Sequence, residues 1–129
     1  MKLRIRDNSI RLRLTRGEVD RLRDEGLVRA STSFPGGGEF RYEVESSPAS
    51  VNPAASLSDN KITVRLPEST VGAWAASEQV SITGEQQHKN GERLSILVEK
   101  DFACLAPREG EDEADMYPHP AADSGEGQC

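Results

Sequence analysis

Asp7-Asn8-Ser9-Ile10-Arg11-Leu12-Arg13-Leu14-Thr15-Arg16-Gly17-Glu18-Val19 decides the architecture of the N-terminal half. Ile10 to Leu14 alternates apolar and cationic residues, the period of a half-buried strand. Lys2-Leu3-Arg4-Ile5-Arg6 keeps the same rhythm, and Asp7-Asn8-Ser9 between the two runs supplies Asx turn chemistry. Together they predict a β-hairpin. Thr15-Arg16-Gly17-Glu18 is a capping box, with Leu14 and Val19 placed as a hydrophobic staple. Val19 and Leu22 share one helix face, and Gly26 supplies a C-terminal stop. Residues 27–34 and 39–45 are expected to be strands around the turn Pro35-Gly36-Gly37-Gly38.

The same order returns about fifty residues later. Ala54–Ser58, the turn Asp59-Asn60 and Lys61-Ile62-Thr63-Val64-Arg65-Leu66 predict a second hairpin. Pro67-Glu68 opens a helix, a position that tolerates proline. Val71 and Trp74 take the places of Val19 and Leu22. Strands follow at 79–84 and 93–99, around a turn with Lys89-Asn90-Gly91. An ungapped shift of 52 residues aligns 7–28 with 59–80. It pairs Asp7/Asp59, Asn8/Asn60, Ile10/Ile62, Arg13/Arg65, Leu14/Leu66, Val19/Val71 and Val28/Val80. This is read as an internal duplication. One unit is too short to bury a good core alone.

The predicted organisation is a first β-β-α-β-β repeat at 1–45, a linker at 46–53, a second repeat at 54–105 and an acidic tail at 106–129. The fold class is α+β, mostly β. Two copies meeting about a pseudo-twofold are expected to close a shared swapped-hairpin-like barrel without edge strands, as a monomeric pseudo-dimer.

Composition narrows the function. The N-terminus lacks the apolar region of a signal peptide, and no run approaches the roughly 18 apolar residues of a membrane span. Two cysteines, Cys104 and Cys129, do not make a secreted disulfide framework. A cytoplasmic location without membrane contact is expected. The net charge of −6 is uneven. Residues 1–29 carry nine Lys/Arg against five Asp/Glu, whereas 106–129 carry one Arg against seven.

From Ile62-Thr63-Val64-Arg65-Leu66-Pro67-Glu68 through Trp74 to Val80, the unit resembles the swapped-hairpin domain of AbrB-type transition-state regulators. That resemblance implies dimer-like interlocking of hairpins and DNA binding through basic side chains. The first copy departs from it with Thr15 in place of the helix-opening proline, and Gly26 has no counterpart in the second. The whole chain also resembles a family of small uncharacterised bacterial proteins. The matching segments are Met1–Ile5 with Asn8–Thr15, Val98–Leu105 and Glu111–Pro118. No activity follows from that likeness.

Three constellations carry candidate chemistry. Alternation places Lys2, Arg4, Arg6, Arg11 and Arg13 on one face of the first hairpin, opposite Leu3, Ile5, Ile10, Leu12 and Leu14. Five cations on one ribbon suit phosphates or an acidic protein; the plainer alternatives are an ordinary solvated face, or a face covered by the chain's own acidic tail. Aromatic residues are not interleaved with them, which disfavours stacking on single strands. In the tail, Cys104, Asp112, Asp115, His119 and Cys129 bring together soft and hard ligands for a divalent metal, with no standard zinc spacing. A Cys104–His119 nucleophile and base pair is disfavoured by the apolar setting Phe102-Ala103-Cys104-Leu105. No nucleophile elbow or phosphate loop is present. The sequence thus reads as a non-enzymatic binding or regulatory module that engages DNA or an acidic protein through its basic hairpin, with no resident cofactor. The alternative reading is a small metal- or cofactor-handling protein built on the tail.

Overall fold

A computed structural model describes residues 1–102; expectations for 103–129, including the whole tail constellation, lie outside the described residues. The chain runs β1 (Lys2–Arg6), β2 (Ser9–Leu14), α1 (Arg16–Glu25), β3 (Leu27–Ser33), β4 (Glu39–Ser47), β5 (Ala54–Ser58), β6 (Lys61–Pro67), α2 (Glu68–Ala75), β7 (Ser81–Gln87) and β8 (Arg93–Lys100). The fold is α+β and mostly β.

Local chemistry explains the elements. Asp59 and Asn60 both take left-handed φ values, 53° and 59°, as a two-residue hairpin turn between twisted strands requires. Asp7 does the same at 49°. The capping box at α1 forms in full: Thr15 Oγ1 accepts from the Glu18 backbone N–H at 3.3 Å, and Glu18 Oε1 accepts from the Thr15 N–H at 2.9 Å. Gly26 ends α1 at φ 81°, its N–H donating to the Leu22 carbonyl. At α2 the cap is Ala76 in ordinary helical geometry, so the chain lacks the abrupt reversal and spends Ser77–Val80 on the connection.

Strand pairing joins the two halves. The first sheet has the order β1-β2-β8-β7 and the second β3-β4-β6-β5. Each is built from one hairpin of each half, joined by a parallel central pair, β2 with β8 and β4 with β6. Exchanging the halves converts one strand order into the other. The correspondence extends to the turns. Phe34 and His88 each donate from N–H to the carbonyl four residues on, Gly38 and Glu92, and Gly37 and Gly91 sit at φ 92° and 90°. Those two glycines are the shared requirement of turns that otherwise differ in sequence.

Two expectations need correction. The halves correspond at a shift of 52 residues only as far as the helices, through β1–β2–α1 and β5–β6–α2; from β3 and β7 the shift is 54. Val28 therefore matches Ile82. Val28 is buried opposite Val44 and Ile82 opposite Val98, while Val80 is 47% exposed. The longer loop after α2 accounts for the offset. The second correction concerns the barrel: the sheets do not close into one. β1 and β7 are edges of the first sheet, β3 and β5 of the second. At one seam the Ala55 N–H donates to Gln86 Oε1 at 2.7 Å. Pro53 also lies over Gly84 there, where a β-carbon would come within 2.5 Å of the ring. A side-chain bond and a proline bridge this seam without a backbone ladder.

The inner faces of both sheets and one side of each helix form one core. It holds Leu12, Leu14, Val28, Val44, Ile62, Val64, Leu66, Ile82, Ile96 and Val98 from strands, and Val19, Leu22, Val71 and Trp74 from helices. Trp74 is fully buried, and its indole N–H donates to the Val80 carbonyl at 3.0 Å. Lys100 Nζ lies 5.7 Å from the ring centroid. Trp74→Ala should therefore destabilise the fold by about 3–5 kcal/mol, measured by urea unfolding, and a loss below about 1 kcal/mol would place the indole outside the cooperative core.

The Met1 ammonium donates to Glu18 Oε2 at 2.7 Å. Burial pushes the Glu18 carboxyl up, but the ammonium and the Thr15 groups outweigh it and hold the carboxyl below its ordinary value of 4.5. A lowered folded-state pKa means stability that is present above the unfolded value and lost as pH falls through the folded one. Glu18→Gln should thus cost most at neutral pH. The difference from wild type should shrink as the pH falls below 4.5, a trend measured by unfolding at stepped pH.

Candidate functional site

The outer face of the first sheet carries the basic hairpin. β1 pairs antiparallel with β2 so that Lys2 faces Arg13 and Arg4 faces Arg11 across the ladder, while Arg6 faces Ser9. Like charges directly opposite each other are destabilising unless offset. The offset comes from β8, whose parallel register sets Arg13 beside Glu99 and Arg11 beside Leu97.

Glu99 Oε1 accepts from Arg13 Nε at 2.7 Å and from Arg11 Nε at 2.8 Å. Arg11 Nη2 approaches the same oxygen at 2.7 Å. One carboxylate therefore holds two guanidiniums. The Arg13 side chain is 8% exposed, that of Arg11 27% and that of Glu99 10%. At the end of β8, the Asp101 N–H donates to the Leu14 carbonyl, and Asp101 Oδ2 lies 3.3 Å from Lys2 Nζ.

The five cations expected on this face are brought together, but they are not equivalent. Arg13 is buried. Arg11 is half-covered, Lys2 is mostly exposed and shares Asp101, and Arg4 and Arg6 are exposed. Among the described residues no acid holds Arg4 or Arg6. Lys2, Leu3, Arg4, Arg11 and Arg13 line a depression of about 220 Å³. Beside it, and sharing Arg11, a shallower groove of about 580 Å³ is lined by residues that include Ser9, Thr83, Glu85, Ser95 and Leu97. Cationic chemistry gives way there to hydroxyls, one acid and the apolar residues Ile10, Ile96 and Leu97.

Glu99 and Asp101 are the members of this site that the sequence reading missed. Glu99 lies 86 residues from Arg13, and their meeting depends on the parallel β2–β8 register. The one available signal was the alternation in β8, which puts Glu99 on the face opposite Val98.

The corresponding face of the second sheet is closer to charge balance. Arg65 Nε donates to Glu45 Oε1 at 2.7 Å, the counterpart of Arg13 with Glu99, but in the open. Lys61 Nζ lies 3.4 Å from Glu43, which also accepts from Thr63 Oγ1. Every cation of β6 on this face thus meets an acid of β4.

The proposed metal ligands Cys104, Asp112, Asp115, His119 and Cys129 lie outside the described residues. Among the described residues, no group of three or more His, Cys, Asp or Glu side chains is placed to hold a metal ion. No helix among them is long and apolar enough to cross a membrane.

Comparison with known proteins bears on the whole chain. No curated protein and no solved structure matches it. A family model does match, over residues 1–121, and the chain belongs to that family, the family of unknown function DUF7009.

Proposed function

We propose that this protein is a non-enzymatic binding module that engages a nucleic acid through the outer face of β1–β2. The observation that carries the reading is charge segregation. Five cations share that ribbon against two acids from the end of β8, and Arg4 and Arg6 are left without an acidic partner among the described residues. Arginine predominates among them, and its planar fork suits phosphate oxygens better than a point charge does. With no aromatic side chain on the face among the described residues of its strands, the contacts expected are to the phosphate backbone and not to stacked bases. Glu99 serves this reading as a positioning residue, since it aligns Arg11 and Arg13 and keeps their side chains from scattering.

The exchange symmetry of the strand pairing supports an origin by duplication. The interlocking of hairpins from two halves also supports the likeness to AbrB-type units, with this chain as a single-chain pseudo-dimer. Binding is expected on one side only, because the outer cations of β6, the counterpart of the strand that carries Arg11 and Arg13, are each matched by an acid, Lys61 by Glu43 and Arg65 by Glu45.

The test is a titration of the full chain against labelled duplex DNA over a range of salt concentrations. Counterion release predicts that log K falls with log salt by about 0.9 for each phosphate neutralised. Replacing Arg4 and Arg6 together by Gln should flatten that slope by about two units and leave the thermal midpoint unchanged. Replacing Lys61 and Arg65 should leave the slope as it is. Retention of an acidic protein with no binding to duplex DNA at low salt would replace the nucleic acid by a protein partner. Binding to neither would overturn the reading.

A further inference from the structure

The inner end of the basic face is built differently from its rim. Glu99 Oε1 takes up Nε of Arg11 and of Arg13, but Arg13 Nη2 lies beyond it, buried and without a hydrogen-bond acceptor among the described residues. A desolvated cationic N–H without an acceptor is costly, so its place in a fold calls for a reason. Lys2, Leu3, Arg4 and Arg11 surround Arg13 and line the depression of about 220 Å³. Four cationic side chains meet there against Glu99 and Asp101. The counterpart pair on the second sheet, Arg65 with Glu45, is exposed, with Arg65 at 54%.

We infer that this depression is an oxyanion subsite that takes a single phosphate group, with Arg11, Arg13 and Arg4 as its donors. The inference rests on the anion-binding reading of the same face and narrows it to one position. Lys2 is the cover. Its side chain is 71% exposed and is held by a single 3.3 Å contact to Asp101, so it can swing aside and then close on the bound anion. Phosphate suits the site better than a carboxylate does. Its several acceptor oxygens reach more than one guanidinium at once, and its second charge offsets the cations that Glu99 and Asp101 leave over.

Two sources share this chemistry. In a nucleic acid, the neighbouring phosphates would run out along Arg4 to Arg6. In a small phosphomonoester, the organic part would lie in the adjoining groove against Ser95, Thr83 and Leu97, which reaches the subsite at Arg11.

The test uses the full chain labelled with ¹⁵N and follows the arginine Nε–H resonances by NMR. Inorganic phosphate should shift the Arg11 and Arg13 signals saturably, while sodium chloride at equal ionic strength should not. Arg4→Gln, on an exposed side chain that lines the depression, should weaken phosphate binding about tenfold. Arg6→Gln should leave phosphate affinity within about twofold, because any effect is long-range and screened, yet should still flatten the salt slope for duplex DNA. Glycerol phosphate binding more tightly than inorganic phosphate, with shifts at the Thr83 and Ser95 amides, would confirm the subsite and assign it to a small molecule. Displacement of phosphate by duplex DNA would confirm it and assign it to a nucleic-acid backbone. An Arg13 signal that phosphate leaves unmoved, or that chloride moves equally, overturns the subsite. If duplex DNA still binds in that case, the broader reading of the face stands; if it does not, both fall.

Discussion

The parallel pairing of β2 with β8 and of β4 with β6 is the constraint on which the rest of this structure depends. A two-stranded hairpin with one apolar face is marginal alone in water. Each of the four hairpins gains its third and fourth neighbours only by crossing to the other half of the chain. The core has the same property. Leu12 and Leu14 from the first half lie in one sheet with Ile96 and Val98 from the second, and both helices seal the same interior. Neither half retains a complete sheet if the other is removed, so the fold is expected to be cooperative across both.

That pairing also creates the site. The register that brings Val98 alongside Leu12 on the inner face necessarily brings Glu99 alongside Arg13 on the outer one. The apolar and ionic contacts are two sides of one ladder. This explains how cations that repel one another across β1 and β2 are tolerated: the acid that offsets them is held by the same strand that closes the core. The same logic on the second sheet gives Arg65 and Glu45, but there the ion pair stays exposed and the neighbouring cation has its own acid. Two geometrically matched faces therefore differ in charge, and the functional reading rests on that difference.

The departures from symmetry are local and have physical causes. Gly26 reverses the chain in one residue because it tolerates φ 81°. The second half has no glycine there, ends its helix in ordinary geometry and needs a longer connection, which moves every later correspondence by two residues. An ungapped comparison of sequence cannot register that change, since Val28 and Val80 are identical residues in unlike places. Barrel closure requires strand tilt and stagger to match around the ring. Here the contact between β5 and β7 is made by Pro53 on Gly84 and by the Gln86 side chain.

The sequence by itself determined the local elements, because their causes lie within a few residues of one another. Alternation in Lys2–Arg6 and Ile10–Leu14, the Thr15 and Glu18 capping box, the Asp-Asn turns and the buried faces of Val19, Leu22, Val71 and Trp74 are short-range effects. The list of five cations on one ribbon was legible for the same reason. Only the tertiary structure decided which hairpins pair, that the sheets stay separate, and that Glu99 and Asp101 enter the basic face. It also decided that Arg13 is buried while Arg4 and Arg6 remain free of acids among the described residues. Those outcomes depend on contacts between residues far apart in the chain, where strand register sets the neighbour and a side-chain period of two sets the face. Composition and spacing carry no record of that register.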